Sequence, residues 1–220
     1  MRDLENSNKT YPIIVSISGA SGSIYGFRLL QFLLEHNYNV EFVISQSATV
    51  VAHDELGLML SENPAELKEQ VLSYLKLPAP SSIFNVWSYK DIAASISSGS
   101  YKTSGMVIVP SSMGTIGAIA SGTSDNLITR AADVCLKERR KLVIVPREMP
   151  FNTIHIGNMY KLSKLGATIA PACPAFYNQP KKLSDSIDFV VGKVLDLFDF
   201  DHSLFNRWSK SSELALSTIT

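Results

Sequence analysis

In the stretch SISGASGSIYGF, Ser16 to Phe27, glycines recur at 19, 22 and 26, with Ala20 and Ser21 between the first two. Such a turn brings backbone close to a ligand, and the free N–H groups opening the next helix attract an anion. Phosphate is the natural guest. The spacing is not GxGxxG, because Ser21 holds the third motif position, and no GK[ST] follows, so a nucleoside triphosphate does not fit. A dinucleotide would also want an acid for its ribose at the end of the second strand, where this chain has Ser45. Hydroxyls without that acid suit a ligand with a single phosphate. The same residues also suffice for a plain strand-to-helix turn, so the other turns must decide.

Four of them carry chemistry: Ser45-Gln46-Ser47, Ser111-Ser112-Met113-Gly114-Thr115, Arg147-Glu148, and PACPAFY ending at Tyr177. Pro146 and Pro150 predict an extended loop around Arg147-Glu148. There the arginine can hold a phosphate and the glutamate can move protons, or the two can form a structural ion pair. Arg130, Asp133 and Lys137 fall at i, i+3 and i+7 of one helical stripe, which reads as a solvated face with ion pairs before it reads as a ligand stripe. Lys137, Arg139, Arg140 and Lys141 suit a helix C-terminus. His36, His53, His155 and His202 have no metal-ligand spacing, and solvation accounts for Asp196, Asp199 and Asp201. Trp208 in SLFNRW is either a packing anchor or an aromatic wall.

Positioning these turns requires elements, and the pattern supplies them. Pro12 to Ile17 is β-branched and precedes helical spacing from Ile24 to Glu35. Asn39 to Ser45 predicts a second strand, Ser47 to Leu60 a mostly helical stretch, and Pro64 to Leu75 a helix capped by Asn63. SIFNVWS predicts a short strand, and ASISSGSYKTSG has little core character. MVIVP and KLVIVP are apolar throughout, as strands buried on both faces are. ATIAP and an amphipathic helix from Leu183 to Phe198 close the series. About six alternations of strand and helix predict an α/β fold in three αβα layers, with an open parallel sheet. Ligands then bind beyond the carboxyl ends of its strands, where the loaded turns lie.

Twenty basic residues balance twenty acidic ones, so nothing in the balance points to a sequence-independent electrostatic grip on nucleic acid or anionic membrane, and any electrostatic partner is local. The charged fraction of 18% is low against the roughly 25% of soluble domains, a hint that other subunits cover some surface. Cys135 and Cys173 form no CxxC or disulfide framework, so a reducing cytoplasm fits. MRDLENSNKT is not a signal peptide, and no apolar run approaches a membrane span. The expected organisation is a flexible lead-in over 1–11, a single domain over 12–210 and a tail over 211–220.

From about Pro12 to Trp208 the chain resembles the UbiX/Pad family of flavin prenyltransferases. The likeness rests on ISGASGSIYG, DIAASISSGS, GMVIVPSSM, RAADVCLKERRKL, VPREMPF, PACPAFYNQP and the closing RW. The resemblance implies a flavodoxin-like or Rossmann-like domain that binds reduced FMN. It also implies transfer to the flavin, at N5 and then C6, of a dimethylallyl group from dimethylallyl monophosphate, without a metal. The prenylated FMN would serve a UbiD-type decarboxylase, and a homo-dodecamer with sites between subunits is implied. FMN contacts would fall on Gly19, Ala20, Ser21, Ser45, Ser112, Met113, Gly114, Thr115 and Arg147. The prenyl phosphate would meet Lys137, Tyr177 and Lys193, with Arg130 nearby, and Trp208 would lie near the prenyl group. Ser21, Glu55 and Glu148 match positions tied to proton transfer or leaving-group assistance.

Two departures stand out. Gly114 sits where members of the family often carry lysine, and Lys193 replaces an arginine of some relatives, keeping a cation but losing bidentate phosphate geometry. An FMN-dependent cysteine decarboxylase of similar fold would want a histidine in the first helix region and a PxMNxxMW-like stretch. Neither is in this sequence. A non-catalytic FMN carrier would leave Glu148, Lys137 and Tyr177 without a task.

Overall fold

The computed structural model describes residues 11–78 and 83–208. The expected tail over 211–220, and all of the lead-in except Tyr11, lie outside them. The chain packs as two compact units, divided between Ala172 and Cys173.

The first unit holds a six-stranded sheet: β1 (Ile13–Ile17), β2 (Val40–Ile44), β3 (Phe84–Trp87), β4 (Gly105–Ser111), β5 (Leu142–Pro146) and β6 (Thr168–Ile169). Every pairing is parallel, in the order β3-β2-β1-β4-β5-β6. This is the Rossmann order, and its switch point falls between β1 and β4, where a doubly wound sheet opens a crevice. All residues of β1, β2, β4 and β5 are buried, as continuous apolar runs require.

Helices follow the strands: α1 (Ser23–Glu35), α2 (Gln46–Leu56), α3 (Pro64–Leu75), α4 (Met113–Ser121), α5 (Leu127–Lys137) and α6 (Thr153–Lys164). Helices α4, α5 and α6 cover one sheet face, where Ile116, Ala131, Cys135 and Leu162 pack with Ile14, Met106, Ile108 and Ile144. Helix α1 lies against β1 and β4, and α3 against β3. Expected and observed spans agree closely except in α2. It stops at Leu56 and not near Leu60, because Gly57 enters the left-handed region at φ 68° and closes the helix with N–H bonds back to Ala52 and His53.

One charge is buried inside this sheet. Glu41 of β2 accepts from Asn85 at 3.0 Å, from the Tyr101 hydroxyl at 2.6 Å and from the Trp87 indole. Three neutral donors thus satisfy a carboxylate that water does not reach. Burial, together with that bond, raises the Tyr101 pKa well above its ordinary value.

The second unit contains α7 (Leu183–Leu197) and the segments flanking it. Its apolar residues Phe189, Val190, Val191, Val194 and Leu195 are buried.

Candidate active site

The turn after β1 is stitched to the end of β4. Ser18 N donates to the Pro110 carbonyl at 3.1 Å, the Ser18 hydroxyl donates to the same oxygen at 3.3 Å, and Ser112 N donates to that hydroxyl at 2.8 Å. The β4–β5 register slips between Ile108 and Ser111, so the strand is already irregular where the turn begins. Ser112 then caps α4, its oxygen accepting from Thr115 N at 3.2 Å and lying 3.0 Å from the Thr115 hydroxyl. Ser45 caps α2 in the same way through Ala48 N. The Ser47 hydroxyl lies 3.1 Å from that of Ser45, and Gly19 packs so closely on Ser47 that a Cβ there would collide. Ala20 is buried, Ser21 and Gly114 are exposed, and Met113 packs against the core.

Two side chains clamp the Ser21 turn. Glu55, reaching from α2, accepts Gly22 N at 3.0 and 2.9 Å on its two oxygens and Ser23 N at 3.1 Å. It thereby caps α1, whose own cap residue Gly22 has no side chain to do so. Arg147 Nε donates to the Ser21 carbonyl at 3.0 Å. Arg147 and Glu148 are therefore turned to separate partners, since Glu148 accepts from Met149 N at 2.9 Å and stays exposed. Gly19, Ala20, Ser21, Ser45, Glu55, Ser112, Thr115 and Arg147 are thus joined, by direct contact or through Ser18, Gly22 and Ser47, on one rim at the strands' carboxyl ends.

Arg130 and Lys137 have local partners of their own. Arg130 pairs with Asp133 at 3.0 Å and donates through Nε to the Ser97 carbonyl at 3.2 Å. Lys137 pairs with Glu138 at 2.5 Å rather than with Asp133, and that lysine bond holds the Glu138 carboxyl below its ordinary pKa. Arg140 donates to the carbonyls of Gly99 and Tyr101. The hydroxyl-rich segment around Ser95–Ser100 is therefore strapped to the basic end of α5, and it places Ala94 and Ile96 in the core.

In the second unit, Tyr177 meets Trp208 edge to face at 5.4 Å and Phe189 at 5.8 Å. Asp196, expected to be merely solvated, is a hub. It accepts Arg207 Nη2 at 2.7 Å and His202 Nε2 at 3.1 Å on one oxygen, with Lys193 Nζ at 3.4 Å from the other. Leu204 N donates to His202 Nδ1, which leaves the ring proton on Nε2, facing the carboxylate. Burial alone would raise the Asp196 pKa, but the Arg207 and His202 bonds outweigh it and hold the carboxyl below its usual range. Only Lys193, at i−3, was within reach of a local pattern. Arg207 and His202 come from beyond the helix, so no helical pattern ties Arg207, read only within the closing RW, to Asp196.

The rim presents capping hydroxyls, a guanidinium and a helix start, a donor set that matches a phosphate monoester. The buried hydroxyls of Ser23 and Ser111 have no hydrogen-bond partner among the described residues, which adds donors for an oxygen-rich guest. FMN fits this chemistry. Among the described residues, no group of three His, Cys, Asp or Glu is placed to hold a metal ion, and no helix is long and apolar enough to cross a membrane.

The Flavoprotein family model matches residues 1–195. The flavin prenyltransferase UbiX of Alkalihalophilus pseudofirmus is 48% identical over 196 residues, covering 89% of this chain and 95% of that protein. A UbiX crystal structure in complex with FMN and dimethylallyl pyrophosphate is 39% identical, with a TM-score of 0.79 over 90% of this chain and 97% of that one. A dodecameric FMN-dependent UbiX-like decarboxylase from Escherichia coli O157:H7 is 40% identical, with a TM-score of 0.78 over 90% and 99%.

Proposed function

We propose, for a chain that belongs to the Flavoprotein family and to its UbiX branch, that it is a flavin prenyltransferase. It moves a dimethylallyl group from dimethylallyl monophosphate to reduced FMN, making prenylated FMN for a UbiD-type decarboxylase. The observation that carries this reading is the stitched rim, where Ser18 binds the β1 turn to Ser112 while Arg147 and Glu55 hold the Ser21 turn from two sides.

Reduced FMN, when bound, supplies the nucleophilic ring that takes the dimethylallyl group at N5 and then C6. The rim orients it: Gly19, Ala20, Ser21, Ser45, Arg147 and the Ser112 to Thr115 turn, with Met113 and Gly114, are the groups proposed to hold it. Departure of phosphate from an allylic ester leaves a delocalised cation, so donors must already face the leaving oxygens and aromatic surface must face the carbon. Lys137, Tyr177 and Lys193, with Arg130, are proposed for the phosphate, and Trp208 for the prenyl group. Glu148, exposed and unpaired with Arg147, is the proposed proton carrier together with Ser21. Glu55 keeps the Ser21 turn in place through the N–H groups it accepts.

Residues 12–210 are proposed to act as one functional domain. A cytoplasmic location is proposed on the two free cysteines, one of them buried in α5 with its thiol pushed up to about 12, mainly by burial. Assembly into a homo-oligomer, a dodecamer as in the Escherichia coli relative, is proposed on the exposed apolar residues that run from Met149 through α6.

Anaerobic incubation with reduced FMN and dimethylallyl monophosphate should add one prenyl unit to the flavin mass. Tight FMN binding with no mass gain would instead support a carrier. Glu148→Gln should leave FMN bound while slowing turnover by about 10²- to 10⁴-fold, the usual worth of a general acid or base. Unchanged turnover would remove Glu148 from the mechanism.

A further inference from the structure

The segment 202–208 folds back on α7 as an arm. At Gly192, in the middle of the helix, an added Cβ would meet Phe205 Cε1 at 2.5 Å and His202 Cε1 at 2.7 Å. No other residue leaves room for the arm there. Phe205 packs on Phe189 at 4.9 Å, His202 is fully buried against Asp196, and the arm ends with Trp208 on the Tyr177 ring.

This docking carries Arg207 to the carboxylate that also faces Lys193. Only Nη2 of Arg207 is engaged by Asp196, and the side chain remains 60% exposed. Among the described residues, its other N–H groups make no further hydrogen bond. The guanidinium therefore keeps a free edge of its fork, on the same carboxylate as Lys193 and within electrostatic reach of Tyr177. Asp196 fixes both cations, and the Asp201 carboxylate also acts on Arg207.

We propose that Arg207 is a further binding residue for the donor's phosphate, delivered by an arm that docks in the notch at Gly192. It supplies the forked contact that a lysine at 193 cannot make. The proposal rests on the prenyltransferase reading for the identity of the donor, but the phosphate contact is testable without it.

Gly192→Ala and Arg207→Gln should each raise KM for dimethylallyl monophosphate about tenfold, the scale of one lost charge-assisted bond, and leave KM for FMN unmoved. Alanine is the better helix former, so Gly192→Ala expels the arm without weakening α7. Arg207→Lys should recover part of the loss, and the double variant should be no worse than either single one. A wild-type donor KM in Arg207→Gln, or an equal rise in both KM values, overturns the proposal. In parallel, inorganic phosphate should alter tryptophan emission of the wild type, with the signal lost in Trp208→Phe and in Arg207→Gln. If the wild type makes no prenylated flavin but this signal depends on Arg207, the donor's identity falls and the phosphate site stands. If the signal survives in Arg207→Gln, the site falls whatever the activity.

Discussion

Gly114 shows what one side chain can change. It is the second residue of α4, exposed, and the nearest foreign atom to an added Cβ would be Ser112 Oγ at 3.9 Å, so a Cβ fits without displacing anything. Gly114→Lys gains about 0.5–1 kcal/mol of helix propensity and loses about 0.3–1 kcal/mol by placing a cation at the positive end of the helix. These nearly cancel, so Tm should hold. A monoester phosphate beside this turn would feel the added charge, and FMN should bind about three- to tenfold tighter at low salt, the gain fading as ionic strength rises. Titration of FMN into both proteins at two salt concentrations checks it. An affinity that does not move would mean that the Ser112 to Thr115 turn stands away from the flavin.

At the scale of elements, Glu55 is a cap lent by one helix to another. Because α1 begins at Gly22, its first N–H groups depend on a carboxylate from α2. Glu55→Ala should cost about 1 kcal/mol or less, since these bonds are partly open to water, and lower Tm by about 2–4 °C. Thermal melts test this, and an unchanged Tm would show that water replaces the carboxylate at no cost. The strands were readable because β1, β4 and β5 are apolar on both faces, and α3 because Asn63 and Pro64 mark its start locally. The Ser18 to Ser112 bond joins positions 94 residues apart, and no window of sequence contains both. The hub at Asp196 was misread for the same reason: its strongest partner, Arg207, lies 11 residues on, beyond helical spacing. Local pattern thus locates the turns, and the switch-point topology decides which of them meet.

For the whole molecule, the distribution of apolar surface makes its own demand. Met149 is 87% exposed, and Ile154, Ile156, Tyr160 and Leu165 are exposed with it, while only Leu162 of α6 is buried. Several large apolar side chains left exposed along one helix are the kind of surface that a partner chain covers. It also begins immediately after Arg147-Glu148, so a second copy seated on it would shield the proposed proton carrier from bulk water. Ile154→Glu with Tyr160→Glu places two charges on the exposed sides of α6, and neither side chain is needed to fill the chain's own core. Far-UV circular dichroism should therefore match the wild type, while size-exclusion chromatography with light scattering should show a smaller species. Turnover should fall with assembly, because water entering around Glu148 weakens every electrostatic contact there. A variant that keeps the wild-type mass would show that copies meet elsewhere, and one that dissociates with full turnover would show that each chain completes its own site.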